Sequence, residues 1–157
     1  MYHYTESGLD NVWLESGYRE HKTPYGRGVS IQDTEGLHEL IGESIVSAKR
    51  RIIGTELRFL RLEMEVSQRD LAAMLGTKEQ TLRLWELNRK KPLPGSPDRL
   101  LRALYQDCMG HNPSVRRMLK KLADIRERER TDACFRETPT GWEQCEDKTD
   151  YARKVGV

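Results

Sequence analysis

Between Gln68 and Lys91 the chain gathers side chains suited to recognition rather than to bond-making. Gln68 and Arg69 open the stretch, Lys78, Glu79, Gln80, Thr81, Arg83 and Leu84 fill its middle, and Arg89, Lys90 and Lys91 close it. A glutamine amide both donates and accepts, an arginine presents a planar fork of donors, and a lysine is a mobile point charge. Such groups suit planar polar ligands and polyanions. Reactive constellations are missing from the sequence: there is no Gly-rich phosphate loop, no Ser/His/Asp arrangement and no H-E-x-x-H. Glu6, Asp10, Glu15, His21 and His38 are the other groups a site would draw on, but their spacing has no pattern. Carboxylates scattered in this way are ordinarily solvated. The expectation is a protein that is not an enzyme and needs no cofactor.

The charge distribution sharpens this. Residues 1–46 hold three Lys/Arg against eight Asp/Glu, net −5; residues 47–107 hold thirteen against eight, net +5; residues 108–157 hold eleven against nine, net +2. A basic middle behind an acidic head points to a polyanionic partner for the middle. The chain is 157 residues long and 33% charged, enough for one domain with polar extensions. No apolar run approaches the roughly 18 residues a bilayer crossing needs. The opening Met1–Glu6 lacks the basic and apolar regions of a secretory signal, so a cytoplasmic location without membrane contact is expected. Cys108, Cys134 and Cys145 are odd in number and are read as reduced thiols.

The elements that must position these residues follow from periodicity and punctuation. In the first third, Asn11–Glu15 and Gly28–Gln32 read as short strands among turn formers. Asp33 or Thr34 caps a helix with Leu37, Leu40, Ile41, Ile45 and Ala48 on one face. Ile53, Leu57, Leu60 and Met64 form the stripe of the next helix. Ser67-Gln68-Arg69-Asp70 has the form of a capping box, opening a helix with Leu71, Ala72 and Leu75 buried, and Gly76 ends it. Thr77-Lys78-Glu79-Gln80 is a second box, opening a helix with Leu82 and Trp85 facing inward. Ser96-Pro97 starts a helix carrying Leu100, Leu101, Leu104 and Tyr105. Asn112-Pro113 starts another, with Val115, Met118, Leu119, Leu122 and Ile125. The charged run Arg126–Arg130 should face water, and beyond Thr131 a mobile polar tail is expected. No internal repeat is evident.

Two short helices joined through a glycine form a helix-turn-helix. Gln68, Leu71, Ala72, Leu75, Gly76, Leu82, Trp85 and Glu86 stand at spacings that resemble the Cro/repressor-type (XRE family) DNA-binding domain over residues 52–107. Asn88 stands where that family usually has glycine; asparagine tolerates the left-handed conformation. In such a motif the second helix enters the major groove and its early residues reach base edges. Gln80 then suits adenine, Leu84 a thymine methyl, and Lys78 and Arg83 guanine or phosphate. Glu79 suits cytosine or the helix N-terminus, and Thr81 lies on the same side. Gln68 and Arg69 are placed to hold a phosphate at a helix start, and Arg89, Lys90 and Lys91 to form a phosphate cluster. The resemblance also implies a structural pair, Arg61 with Glu86. Arg58 reads as plain surface.

A second resemblance rests on Leu37, Ile41-Gly42-Glu43 and Arg58-Phe59-Leu60-Arg61 behind a small N-terminal module. This arrangement looks like the MqsA-type antitoxins, in which that module binds zinc through paired cysteines and contacts a toxin. Here residues 1–46 contain no cysteine, and His3, His21 and His38 share no ligand spacing, so no metal is expected. Cys134 and Cys145 are no better as ligands.

The fold expected is mainly α. A five-helix Cro/repressor-type helix-turn-helix domain at 47–110 follows an acidic, β-containing module at 1–46 and precedes a helical and flexible extension at 111–157. The function expected is that of a sequence-specific transcriptional regulator, a dimeric autorepressor on an inverted repeat of double-stranded DNA. One recognition helix contacts few base pairs, so two copies supply the usual specificity. The alternative is the antitoxin of a toxin–antitoxin pair, with residues 1–46 binding the partner protein.

Overall fold

The computed structural model describes residues 1–110, 114–123 and 133–145. They fall into two compact units, Met1–Asp124 and Ile125–Val157. The architecture is mixed: six α-helices and three small antiparallel two-stranded sheets among the described residues. No helix among them is long and apolar enough to cross a membrane.

In the first unit, β1 (Tyr2–His3) pairs with β2 (Trp13–Leu14) around a 3-10 turn at Thr5–Ser7. β3 (Tyr18–Thr23) pairs with β4 (Gly26–Ile31) in a second hairpin. Of these four strands, the sequence reading reaches β2, inside Asn11–Glu15, and most of β4, inside Gly28–Gln32, but neither β1 nor β3. Five of the six residues of β3 are exposed, so the strand has no apolar alternation to betray it.

Five helices follow in quick succession: α1 (Thr34–Ser47), α2 (Gly54–Glu63), α3 (Gln68–Met74), α4 (Glu79–Leu87) and α5 (Gly95–Met109). The Asp33 carboxylate accepts the Gly36 N–H at 3.1 Å and caps α1. Ser67 Oγ likewise accepts the Asp70 N–H at 3.0 Å and caps α3. α6 (Ser114–Leu122) packs on α3 and α5, and the Asp107 carboxylate accepts the Val115 N–H at 3.1 Å at its start. The signals read at Asn112-Pro113, Ile125, Arg126–Arg130 and Tyr151 lie outside the described residues. One core runs from Tyr4, Leu9 and Leu14 in the head through Leu57, Leu71, Leu82 and Leu101 to Leu119.

The link between head and helices, residues 47–53, is tied down by polar side chains. Asp98 is buried, and its carboxylate accepts the Ile52 N–H at 2.6 Å and Arg102 Nε at 2.6 Å. Arg102 reaches on to the carbonyls of Val46, Ala48 and Arg50, at 2.8, 2.7 and 2.5 Å. Buried Glu56 caps α2 by accepting the Ile53 N–H at 3.1 Å, and it receives both Arg50 prongs at 2.8 Å. Burial opposes the charge on Asp98, but the bonds from Arg102 and Ile52, with the Arg102 and Arg51 charges, outweigh it and hold its carboxyl below the ordinary value.

Three local expectations are corrected. Thr77 does not cap α4; Lys78 takes that position without a side-chain bond, because the Thr77 N–H already closes α3 on the Ala72 carbonyl at 2.9 Å. α5 begins at Gly95, with Pro94 as its extended N-cap, rather than at Ser96-Pro97. Asn88 is not left-handed (φ −81°, ψ 66°); its carbonyl accepts the Lys91 N–H at 2.9 Å, and that turn needs no positive φ.

In the second unit, the described residues 133–145 depart from the expected mobile tail. β5 (Cys134–Thr138) and β6 (Gly141–Cys145) form a hairpin, with Cys134 opposite Cys145 in register. Its turn also reveals a short internal repeat. Thr138-Pro139-Thr140-Gly141 matches Thr23-Pro24-Tyr25-Gly26 between β3 and β4. In both, the threonine hydroxyl donates to the glycine carbonyl at 2.7 Å, and the glycine has positive φ, 122° and 128°.

Candidate nucleic-acid interface

The turn between α3 and α4 is built by the backbone. Gly76 adopts φ +69°, its N–H donates to the Ala73 carbonyl at 3.2 Å, and the Thr77 N–H reaches Ala72 at 2.9 Å. These are the two bonds of a Schellman ending, which lets a side-chain-free residue reverse the chain. Leu71, Ala72 and Leu82 are buried below the turn, with Leu75 at its edge and Trp85 half-buried against the core.

The other end of α4 is fixed against α2. The Thr55 N–H donates to the Arg89 carbonyl at 3.1 Å. Gly54 lies so close that a Cβ there would stand 2.2 Å from the Trp85 carbonyl oxygen and 2.7 Å from that of Asn88. Beneath α4 runs an ion pair. Glu86 accepts Arg61 Nε at 2.6 Å and Arg61 Nη2 at 3.2 Å, while Arg61 Nη1 donates to the Val66 carbonyl at 3.2 Å. The two side chains are only 12% and 7% exposed, so water screens the pair little. Gln68, read as a phosphate ligand, also donates its side-chain amide to Glu86 at 2.8 Å. The first turn of α3 is thereby tied to α4.

Lys78, Glu79, Gln80, Arg83 and Leu84 are exposed together at the start and outer face of α4, whereas Thr81 is half-buried. Arg83 and Glu79 form a loose exposed pair at 3.6 Å. Arg69, Arg89, Lys90 and Lys91 are also exposed. A cleft of about 570 Å³ brings members of these sets together: five arginines, Arg58, Arg61, Arg69, Arg83 and Arg89, border it with Gln68. Arg61 is spent on Glu86 and Arg83 is loosely paired with Glu79, which also lines the cleft, so Arg58, Arg69 and Arg89 are left to face a ligand from the rim. Arg58 belongs to this set although the sequence presents it as plain surface. Its position three residues before Arg61, on one face of α2, is the signal that marks it. Leu87, 68% exposed, also lines the cleft and was not singled out by sequence. A second cavity of about 260 Å³, bordered by Glu6, Ser7 and Gly8 of the head, shares Arg58, Glu86 and Arg89 with it.

In the head, His38 is committed to structure. Its Nδ1 lies 2.7 Å from a Glu63 carboxylate oxygen and its Nε2 2.8 Å from the Tyr4 hydroxyl. His21 bonds Ser30 at 2.6 Å. Among the described residues no group of three His, Cys, Asp or Glu side chains could hold a metal ion. Comparison with protein-family models, with curated proteins and with solved structures gives no match to this chain.

Proposed function

We propose that this chain is a sequence-specific DNA-binding regulator of transcription, in which α2 to α5 serve a Cro/repressor-type role and α4 enters the major groove. The observation that carries the reading is the arginine-bordered cleft beside the exposed start of α4. The α4 side chains Lys78, Glu79, Gln80, Arg83 and Leu84 offer base-edge chemistry, while Arg58, Arg69 and Arg89 supply the cationic rim for the flanking phosphates. Lys90 and Lys91 extend that rim. α4 has nine residues and reads only a few base pairs, so the acting form is a homodimer on an inverted repeat, with half-sites about 34 Å apart. Repression of its own transcription is the simplest use of such a site.

The test competes DNA from upstream of its reading frame against random duplex at two salt concentrations. A preference of roughly 10³ or more with a steep salt slope is expected. Gln80→Ala should remove the preference while the melting temperature stays near wild type, since Gln80 is exposed. Weak binding by the wild-type protein, without preference, would overturn the reading.

A further inference from the structure

We propose that the β3–β4 hairpin is a second DNA-contacting element, a basic ribbon that grips the duplex backbone outside the segment read by α4. The proposal rests on the DNA-binding reading above and adds to it an element that sequence reasoning placed in an acidic, protein-binding head. The acidity of that head is uneven. All three Lys/Arg of residues 1–46, Arg19, Lys22 and Arg27, lie on the hairpin, which carries one acidic residue, Glu20. The remaining seven carboxylates lie outside it.

The ribbon is anchored at its base and open at its tip. Tyr18 packs against Tyr2 with ring centroids 5.3 Å apart, Ile31 touches the core, and the Gln32 N–H donates to the Gly17 carbonyl at 2.8 Å. Beyond that base, Arg19 to Arg27 are all exposed, and Tyr25 at the turn is fully so. Two six-residue strands project roughly 20 Å, and a two-stranded ribbon of this kind fits a DNA groove.

Register supplies the second observation. Lys22 stands directly opposite Arg27, so two like charges share one face next to the turn. Directly opposed like charges destabilise a hairpin. Among the described residues neither has an ion-pair partner, and Arg19 has none. The other hairpin with the same Thr-Pro-x-Gly turn does the opposite: Arg136 is in register with Glu143 and forms an ion pair with it. A polyanion laid on the β3–β4 ribbon neutralises the charge clash. The cavity joining Glu6–Gly8 to Arg58 and Arg89 brings the Thr5–Ser7 turn of the head up to the arginine cleft.

Two variants test this in the full chain, with operator duplex as probe. Arg19→Ala/Lys22→Ala/Arg27→Ala should lower the slope of log K against log salt by about 0.9 per lost phosphate contact, and shorten the protected footprint. Its preference for operator over random DNA should persist. Lys22→Glu, which puts an opposite charge across from Arg27, should melt no lower than wild type while binding DNA at least tenfold more weakly. A purely structural hairpin would not show that split. An unchanged slope and footprint in the triple variant, with wild type still selective, would overturn the ribbon alone. A wild-type protein that binds no duplex would overturn the DNA reading, and the ribbon with it.

Discussion

Glu86 answers to Arg61 through two bonds and to Gln68 through a third, and it does so nearly out of reach of water. Removing one partner of such a pair leaves a buried charge without compensation, whereas removing both need not. Glu86→Ala is therefore expected to lower the unfolding free energy by about 3–5 kcal/mol in urea denaturation. Arg61→Met/Glu86→Leu should recover a large part of that loss. A double variant as weak as the sum of the two single ones would show that Arg61 and Glu86 act independently. The Arg61–Glu86 pairing was legible only through resemblance, since nothing local links positions twenty-five residues apart. The engagement of Gln68 with Glu86 was not legible at all, because position 68 at a helix start suits a phosphate ligand equally well.

At the scale of elements, α4 is held by backbone contact at both ends: the Gly76 turn at one, Gly54 and Thr55 at the other. A methyl group at position 54 would meet carbonyl oxygens of the main chain, which cannot swing aside as a side chain can. Gly54→Ala should cost about 1–3 kcal/mol by overpacking, and operator affinity should fall with it as α4 shifts. A variant with wild-type melting and binding would show that α2 yields without moving α4. The start of α1 and both ends of α3 were readable because Asp33, Ser67 and Gly76 act within three or four residues of their own position. The hairpins were not. Tyr18-Arg19-Glu20-His21-Lys22-Thr23 has neither apolar alternation nor a buried face, and its strand state comes from pairing across a Pro24-Tyr25 turn. The same blindness hid β5 and β6, although their shared Thr-Pro-x-Gly turn was in plain view.

For the whole first unit, the Asp98 and Arg102 network joins the end of α1, the link and the start of α5 across more than forty residues. The Asp98 carboxyl is held below its ordinary value in the folded state, so its ionised form favours folding. That contribution is present above the unfolded value near pH 4 and fades as pH falls through the lower folded value. Unfolding free energy followed from pH 6 down to pH 2 should decline in the acid range, and Asp98→Asn should flatten that decline. The same substitution should cost roughly 2–3 kcal/mol at neutral pH. An acid profile unchanged by Asp98→Asn would place the linkage on other carboxylates. The atoms this network grips in the link are the carbonyls of Val46, Ala48 and Arg50 and the amide of Ile52, all of them main chain. Main-chain atoms are the same whatever residue carries them. Over generations, then, selection bears on the two side chains that hold and only lightly on the stretch being held. Residues 47, 48 and 49 are free to drift in identity along an unchanging path, and Asp98 and Arg102 are not.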